Sequence, residues 1–205
     1  MFIRRPLTLL LFALAACKPR AQSYDWRAGD LVFQTSRSRQ SEAIEKSTHS
    51  RWSHMGVVWA VNGKPMVFEA VEPVRLTPLK QWIARGAERR YAVKRLRDAD
   101  RLLTPAVLGK MESLGRVWLG RHYDLAFDWS DDRLYCSELA WKLYERGAGI
   151  TLAPLTKLGE ADLRDPEVKK LLNERYGDRV PLDAPVISPQ ALFDSKRLVS
   201  IANPY

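Results

Sequence analysis

Residues 54–71 decide the fold of this 205-residue chain: they read HMGVVWAV, then Asn62-Gly63, then KPMVFEAV. The runs on either side of Asn62-Gly63 are rich in β-branched and aromatic residues, and Asn-Gly between two such runs is the strongest short-range signal for a β-hairpin. Pro65 has no backbone N–H to donate to a neighbouring strand, so it belongs beside the turn or at an edge of the sheet. The sequence therefore predicts an antiparallel hairpin with strands over 54–61 and 64–71.

This hairpin places two chemically active side chains on one face. With a two-residue turn at Asn62-Gly63, Glu69 pairs with Gly56 and His54 pairs with Val71. Paired residues share a face, and diagonal neighbours lie about 7–8 Å apart, within reach of long side chains. We therefore expect His54 and Glu69 to meet across Gly56, whereas a three-residue loop would put them on opposite faces.

Cys136 falls in the first turn of a predicted helix over residues 135–146, which ends at Gly147. A helix N-terminus and a neighbouring imidazolium can lower a thiol pKa from about 8.5 to roughly 3.5–7.5. This pattern favours Cys136 as a nucleophile, His54 as its proton partner and Glu69 as the acid that orients the imidazole. A cysteine on an apolar helix stripe also occurs as a small buried hydrophobe, and this alternative stays open.

The remaining patterns predict both strands and helices. Leu31–Phe33 is the expected first strand, and the polar segment Ser36–Thr48 is expected to be helical. Arg89–Arg97 is predicted as a strand whose basic residues protect an exposed sheet edge, and Lys196–Ile201 as the last strand. Pairs of a capping residue and a proline predict four further helices, near residues 78–85, 105–118, 166–176 and 189–193. We therefore expect an α+β fold, with a small antiparallel sheet packed against the helix that carries Cys136.

Four blocks of sequence resemble one known family. They are Gly29-Asp30-Leu31-Val32-Phe33-Gln34, Trp52-Ser53-His54-Met55-Gly56-Val57-Val58, Val67-Phe68-Glu69-Ala70 and Tyr135-Cys136-Ser137-Glu138-Leu139. In order and spacing they resemble the YiiX/YebB type of permuted papain-like cysteine hydrolases, relatives of the NlpC-type murein peptidases. In ordinary papain-like enzymes the cysteine helix precedes the histidine strand, and here His54 precedes Cys136. The resemblance implies a permuted papain-like fold with a Cys136-His54-Glu69 triad.

The resemblance also implies hydrolysis, or acyl transfer, of an amide or ester through an acyl-enzyme on Cys136. The NlpC relatives imply a cell-wall peptide as substrate, and other permuted relatives, such as the lecithin:retinol acyltransferases, imply acyl-lipid or N-acyl amino-acid bonds. The sequence leaves both open. A second hypothesis is a catalytically silent, lipid-anchored binding protein that uses the same groove.

Three further residues are candidates for the site. Gln34 and Tyr135 can supply hydrogen bonds to an oxyanion or substrate, or else serve as a strand-end amide and a packed ring. His49 lies five positions before His54, which matches neither one helix face nor the usual histidine pairs of zinc sites. A zinc site on His49, His54 and Cys136 therefore has little support, and we predict no metal and no cofactor.

The amino terminus predicts export. Arg4 and Arg5 precede the apolar run Leu7–Leu14, which is much shorter than the roughly 20 residues of a transmembrane helix. Leu14-Ala15-Ala16-Cys17 resembles a bacterial lipobox, which implies cleavage before Cys17 and lipid attachment to it. Ordinary secretion with cleavage at an A-x-A-like site is the alternative.

These signals divide the chain into a signal peptide (1–16), a tether (17–27) and a single hydrolase domain (28–205). The expected location is the periplasmic face of the cell envelope. Lys18, where an Asp would retain a lipoprotein in the inner membrane, implies the outer membrane if the organism is Gram-negative. Residues 153–183 are rich in charge, Pro and Gly, and are either a flap over the site or a peripheral insertion.

The composition and charge of the chain limit the classes of partner that we expect it to bind. The chain is 46% hydrophobic and 28% charged, so it is too apolar for a disordered protein, and its two cysteines are too few for a disulfide framework. Residues 1–16 hold two arginines and no acidic residue, so removing them lowers the formal charge from +9 to +7. A basic surface suits anionic headgroups or a cell-wall polymer, and a basic surface without a dedicated partner is the alternative. The export signal and the lack of a Cys/His finger or Gly-rich phosphate loop argue against nucleic acid.

Overall fold

Ten strands form three sheets in the computed structural model, which describes residues 24–203. In chain order they are β1 (Leu31–Gln34), β2 (His54–Val61), β3 (Lys64–Glu69), β4 (Arg75–Pro78), β5 (Ala92–Leu96), β6 (His122–Tyr123), β7 (Arg133–Leu134), β8 (Thr156–Lys157), β9 (Pro185–Val186) and β10 (Leu198–Ala202). Six of them build the central antiparallel sheet, in the order β10-β5-β1-β2-β3-β4. Short pairs β6-β7 (parallel) and β8-β9 (antiparallel) lie outside it.

Seven α-helices accompany these strands within residues 24–203. They are α1 (Arg39–Thr48), α2 (Leu79–Arg85), α3 (Ala99–Leu102), α4 (Pro105–Trp118), α5 (Cys136–Lys142), α6 (Pro166–Tyr176) and α7 (Pro189–Phe193). A π-helical turn, Leu143–Gly147, continues α5. None of these helices is long and apolar enough to cross a bilayer. The predicted signal peptide, Cys17 and the tether as far as residue 23 lie outside the described residues.

The predicted hairpin is confirmed in its register. Asn62 and Gly63 have φ values of 50° and 72°, the left-handed geometry that a two-residue type I′ turn requires. Val57 therefore pairs with Phe68, and Pro65 pairs with Ala60 beside the turn, as expected. The second strand ends at Glu69, earlier than predicted.

Three of the four predicted cap-and-proline signals start helices as expected. The side chains of Thr104, Asp165 and Ser188 accept the backbone N–H groups that cap α4, α6 and α7. Thr77 does not cap α2, because Pro78 is the residue before that helix and the Thr77 hydroxyl donates to Glu69 instead. The helix was predicted correctly there, but the role of the threonine was not.

The expectation that Arg89–Arg97 forms an exposed edge was wrong. β5 is an inner strand, since β1 pairs along one side of it and β10, from the end of the chain, pairs along the other. The Arg95 guanidinium of β5 donates to both carboxylate oxygens of buried Asp30, at 2.7 and 2.8 Å. β4 and β10 are the edges of the sheet.

The central sheet buries side chains on both faces, because its strands alternate apolar residues between two cores. The first core faces α5 and includes Leu31, Phe33, Met55, Val57 and Phe68. The second core lies under α2 and includes Val32, Val58, Val67, Leu79 and Trp82. The sheet therefore packs against the helix that carries the cysteine, as predicted, and also against α2.

We predict that Gly63→Ala lowers the free energy of unfolding by about 1–2 kcal/mol, because a side chain strains the left-handed backbone of the turn. Gly109→Ala is the matched control: it lies exposed within α4, has open space around it, and is expected to raise stability by about 0.5–1 kcal/mol. Denaturant unfolding of the two variants measures the difference. Equal changes would contradict the strained turn.

Candidate active site

The hairpin brings His54 and Glu69 into contact. His54 Nε2 lies 2.7 Å from Glu69 Oε2, across Gly56 as the register predicted. The Glu69 side chain has no exposed surface, and that of His54 is only 9% exposed. A Cβ at Gly56 would lie 3.3 Å from the Cβ of Glu69 and closer still to Val67, so only glycine fits at that position.

Three further donors surround the Glu69 carboxylate. Thr77 Oγ1 donates to Oε1 at 2.6 Å, Trp82 Nε1 donates to Oε2 at 2.9 Å, and the Arg85 guanidinium also donates to Oε2. A buried carboxylate is stable only when charge-assisted hydrogen bonds replace its hydration. None of these three residues was predicted for the site, although the Thr77-Pro78 pair was noticed and interpreted as a helix cap.

The two charges stabilise each other. Burial raises the pKa of Glu69, but the hydrogen bond and charge of His54, together with Arg85 and Thr77, outweigh it and lower the pKa to about 2. Burial lowers the pKa of His54, but hydrogen bonds with Cys136 and Glu69 and their charges raise it to about 9. At neutral pH the pair is therefore an imidazolium and a carboxylate.

Cys136 completes the group. It is the first residue of α5, carries a free thiol and is 1% exposed. Its side chain lies close enough to His54 for a hydrogen bond and its charge to raise the pKa of the imidazole. His54 alternates with Met55, which faces α5, so the contact with Cys136 forms where β2 and α5 both begin rather than through the packed face.

A buried ion pair anchors the start of α5. Glu138 Oε2 accepts the backbone N–H of Tyr135, at 3.2 Å, and Oε1 lies 2.6 Å from Lys142 Nζ. Lys142 Nζ in turn donates to the Ser130 carbonyl at 2.6 Å and to Asp131 at 2.9 Å. Glu138 and Lys142 have no exposed surface, so they tie the loop before Cys136 rigidly to the helix after it.

The two predicted hydrogen-bonding candidates lie in different surroundings. Gln34 is the register partner of His54 and is fully buried against Gly86, and no residue among 24–203 hydrogen-bonds its side-chain amide. The Tyr135 hydroxyl accepts the N–H of Ile187 at 3.1 Å, and its ring packs edge-on against Phe127. The roles of Gln34 and Tyr135 towards a substrate therefore stay predictions.

The structure separates the histidines of the zinc alternative. His49 is exposed and its Nε2 lies 3.0 Å from Asp162, whereas His54 is buried against Glu69. Within residues 24–203, no three His, Cys, Asp or Glu side chains are grouped so as to hold a metal ion.

A cavity of about 930 Å³ adjoins the cysteine. Cys136 and Tyr135 line it, and its walls come from α1, α6 and the segments around 156–164 and 182–191. Most of the wall side chains are apolar, among them Ile44, Phe127, Leu158, Val168, Leu172 and Leu182. The charged segment 153–183, unassigned from the sequence, therefore forms one side of this cavity.

Comparison with known proteins matches this chain to a family and to a solved structure. A family model described as a permuted papain-like amidase enzyme, YaeF/YiiX, C92 family, matches residues 25–202. The chain is 44% identical over 194 residues to the uncharacterized protein YiiX of Escherichia coli K12, covering 95% of this chain and 94% of that protein. A crystal structure described as the metalloprotein YiiX from E. coli O157:H7 superposes with a TM-score of 0.82 at 46% identity, covering 87% of this chain and 98% of that one.

We predict that Glu69→Gln lowers the pKa of His54. In the wild type the imidazolium is present below about pH 9 and is lost above it, because Glu69 and Cys136 favour the charged ring. Removing the carboxylate removes part of that preference, so the proton is lost at lower pH. NMR titration of the imidazole signals measures the change, with His49 and His122 as internal references. An unmoved His54 midpoint would show that Glu69 does not hold this proton.

Proposed function

This chain belongs to the permuted papain-like amidase family, and we propose that it is a cysteine hydrolase in which Cys136 attacks the carbonyl carbon of an amide or ester. The observation that carries the proposal is the hydrogen-bonded series from Glu69 through His54 to Cys136, with the cysteine lining the cavity. Family membership supports the general chemistry, and the roles of the three residues are our proposal.

In the first step, the Cys136 sulfur attacks as a thiolate beside the His54 imidazolium, which already carries the proton, and forms a bond to the carbonyl carbon. The carbonyl oxygen becomes an oxyanion. The backbone N–H of Cys136 is available to it, because the first N–H groups of a helix have no intrahelical acceptor. Collapse of this intermediate breaks the bond to the leaving nitrogen or oxygen, which takes the proton from His54.

In the second step, His54 accepts a proton from water while the water oxygen attacks the thioester carbon. The carbon–sulfur bond breaks, which restores the Cys136 thiolate and the His54 imidazolium, and a carboxylic acid is released. Glu69 stays ionised throughout and holds His54 Nε2. If an alcohol or amine replaces water, the same step is acyl transfer.

The cavity favours an acyl compound over a cell-wall peptide as substrate. Its volume of about 930 Å³ is at the upper end of the roughly 300–1,000 Å³ of small-molecule sites, and its wall is mostly apolar. An aliphatic acyl chain buries favourably in such a wall, whereas the charged stem peptide of a cell wall does not. We therefore propose an acyl-lipid or N-acyl amino-acid bond as the substrate.

The E. coli structure is described as a metalloprotein. Residues 24–203 of this chain do not group His, Cys, Asp and Glu side chains in a manner that fits a metal centre.

The hydrolase proposal predicts product release that depends on Cys136. Wild-type protein should release the free acid from an N-acyl amino acid, detected by mass spectrometry, and Cys136→Ala should be slower by at least about 10³-fold. Murein peptides form the second arm and are expected to stay intact. Binding without release from either class would instead favour the catalytically silent binding protein.

We also propose that the chain is exported and anchored at the cell envelope by lipid on Cys17, which rests on the sequence of residues 1–17 alone. Cells producing the full chain should incorporate labelled palmitate into it, and Cys17→Ser should abolish the label. Cys136→Ser, which leaves the lipobox intact, is the matched control. An unlabelled wild-type protein would favour ordinary secretion instead.

A further inference from the structure

Arg175 is a half-buried cation in the wall of the cavity that Cys136 also lines. It lies near the end of α6, and its guanidinium carbon is 5.7 Å from the centre of the Phe127 ring. One guanidinium nitrogen donates to the side-chain oxygen of Gln40. The charged group is therefore held in place by a neutral amide and an aromatic face.

No carboxylate among residues 24–203 lies within ion-pair distance of Arg175. Two other arginines near α6 are paired: Arg39 lies 3.2 Å from Glu174, and Arg164 lies 2.8 Å from Asp162. Burial lowers the pKa of Arg175, and the charges of Tyr123, Tyr176, Asp124 and Glu174 act on it in the opposite direction without forming an ion pair. A cation in an apolar wall is costly unless an anion pairs with it, and most of the five N–H donors of this guanidinium remain available.

Arg175 and Cys136 both act on the hydroxyl of Tyr123. The pKa of Tyr123 is raised well above its usual value by burial and by the charge of Cys136, and the charge of Arg175 acts on the same hydroxyl in the opposite direction. Tyr123 therefore lies within the fields of both groups. An anion bound by Arg175 would lie in the same cavity as the scissile carbonyl.

We propose that Arg175 is an anion-binding residue of this cavity, and that the substrate carries a carboxylate or phosphate near its apolar acyl group. This inference rests on the proposed hydrolase function and narrows its substrate class. The planar fork of an arginine binds either anion with two parallel hydrogen bonds, and the apolar wall accommodates the chain. An N-acyl amino acid carries such a carboxylate, and an acidic phospholipid carries such a phosphate.

Calorimetric binding to the Cys136→Ala protein tests the proposal without turnover. The probes share one chain length and differ in charge: octanoate, octyl phosphate and neutral octanamide. We expect at least one anion to bind about tenfold more tightly than octanamide. Preference for octanoate indicates a carboxylate substrate, and preference for octyl phosphate indicates a phosphate.

Adding Arg175→Gln should abolish this preference and leave octanamide binding unchanged, which also shows that the variant is folded. Arg175→Lys should retain part of the preference, because it keeps the charge without the fork. Arg179→Gln, which removes an exposed arginine outside the cavity wall, is the matched control and should behave as the parent. Equal binding of all three probes by the parent, or a preference that survives Arg175→Gln, would overturn the inference. Either result would leave the hydrolase proposal standing, since product release tests that separately.

Discussion

The ionised carboxylate of Glu69 is the constraint on which the candidate site depends. It has no exposed surface, so every hydrogen bond that water would make must come from the protein. The donors arrive from β2, β4 and α2, which means that the hairpin, the next strand and the following helix must all be in place together. The same carboxylate raises the pKa of His54. The folded arrangement around Glu69 therefore also sets the protonation of the His54 imidazole.

The cysteine side of the site is fixed by a separate buried pair. Glu138 and Lys142 join the start of α5 to the loop before it, and the apolar stripe of the helix packs on the sheet face opposite Glu69. The thiol and the imidazole therefore belong to different packing layers, and they meet where β2 and α5 begin. Each side is held by its own buried hydrogen bonds and ion pairs.

The cavity shows where one of the many basic side chains of this chain could meet an anionic ligand. Net charge by itself only suggested anionic surfaces as partners, since a basic surface has no necessary ligand. Arg39 and Arg164 are paired with acids on the surface, whereas Arg175 lies in the cavity wall without an ion-pair partner among the described residues. A cation in the wall of the cavity that Cys136 lines limits the chemistry of a ligand more narrowly than the net charge of the chain does.

The sequence by itself determined what depends on neighbouring residues. Asn62-Gly63 dictates a two-residue turn, the turn dictates the register, and the register places His54 beside Glu69. Only the tertiary structure decided that β5 is an inner strand and that Thr77 donates to Glu69 and does not cap α2. It also decided that Arg85 contacts Glu69 and that Arg175 lines the cavity. Those outcomes depend on contacts between segments far apart in the chain, such as β10 pairing with β5. Local propensity does not predict such pairings.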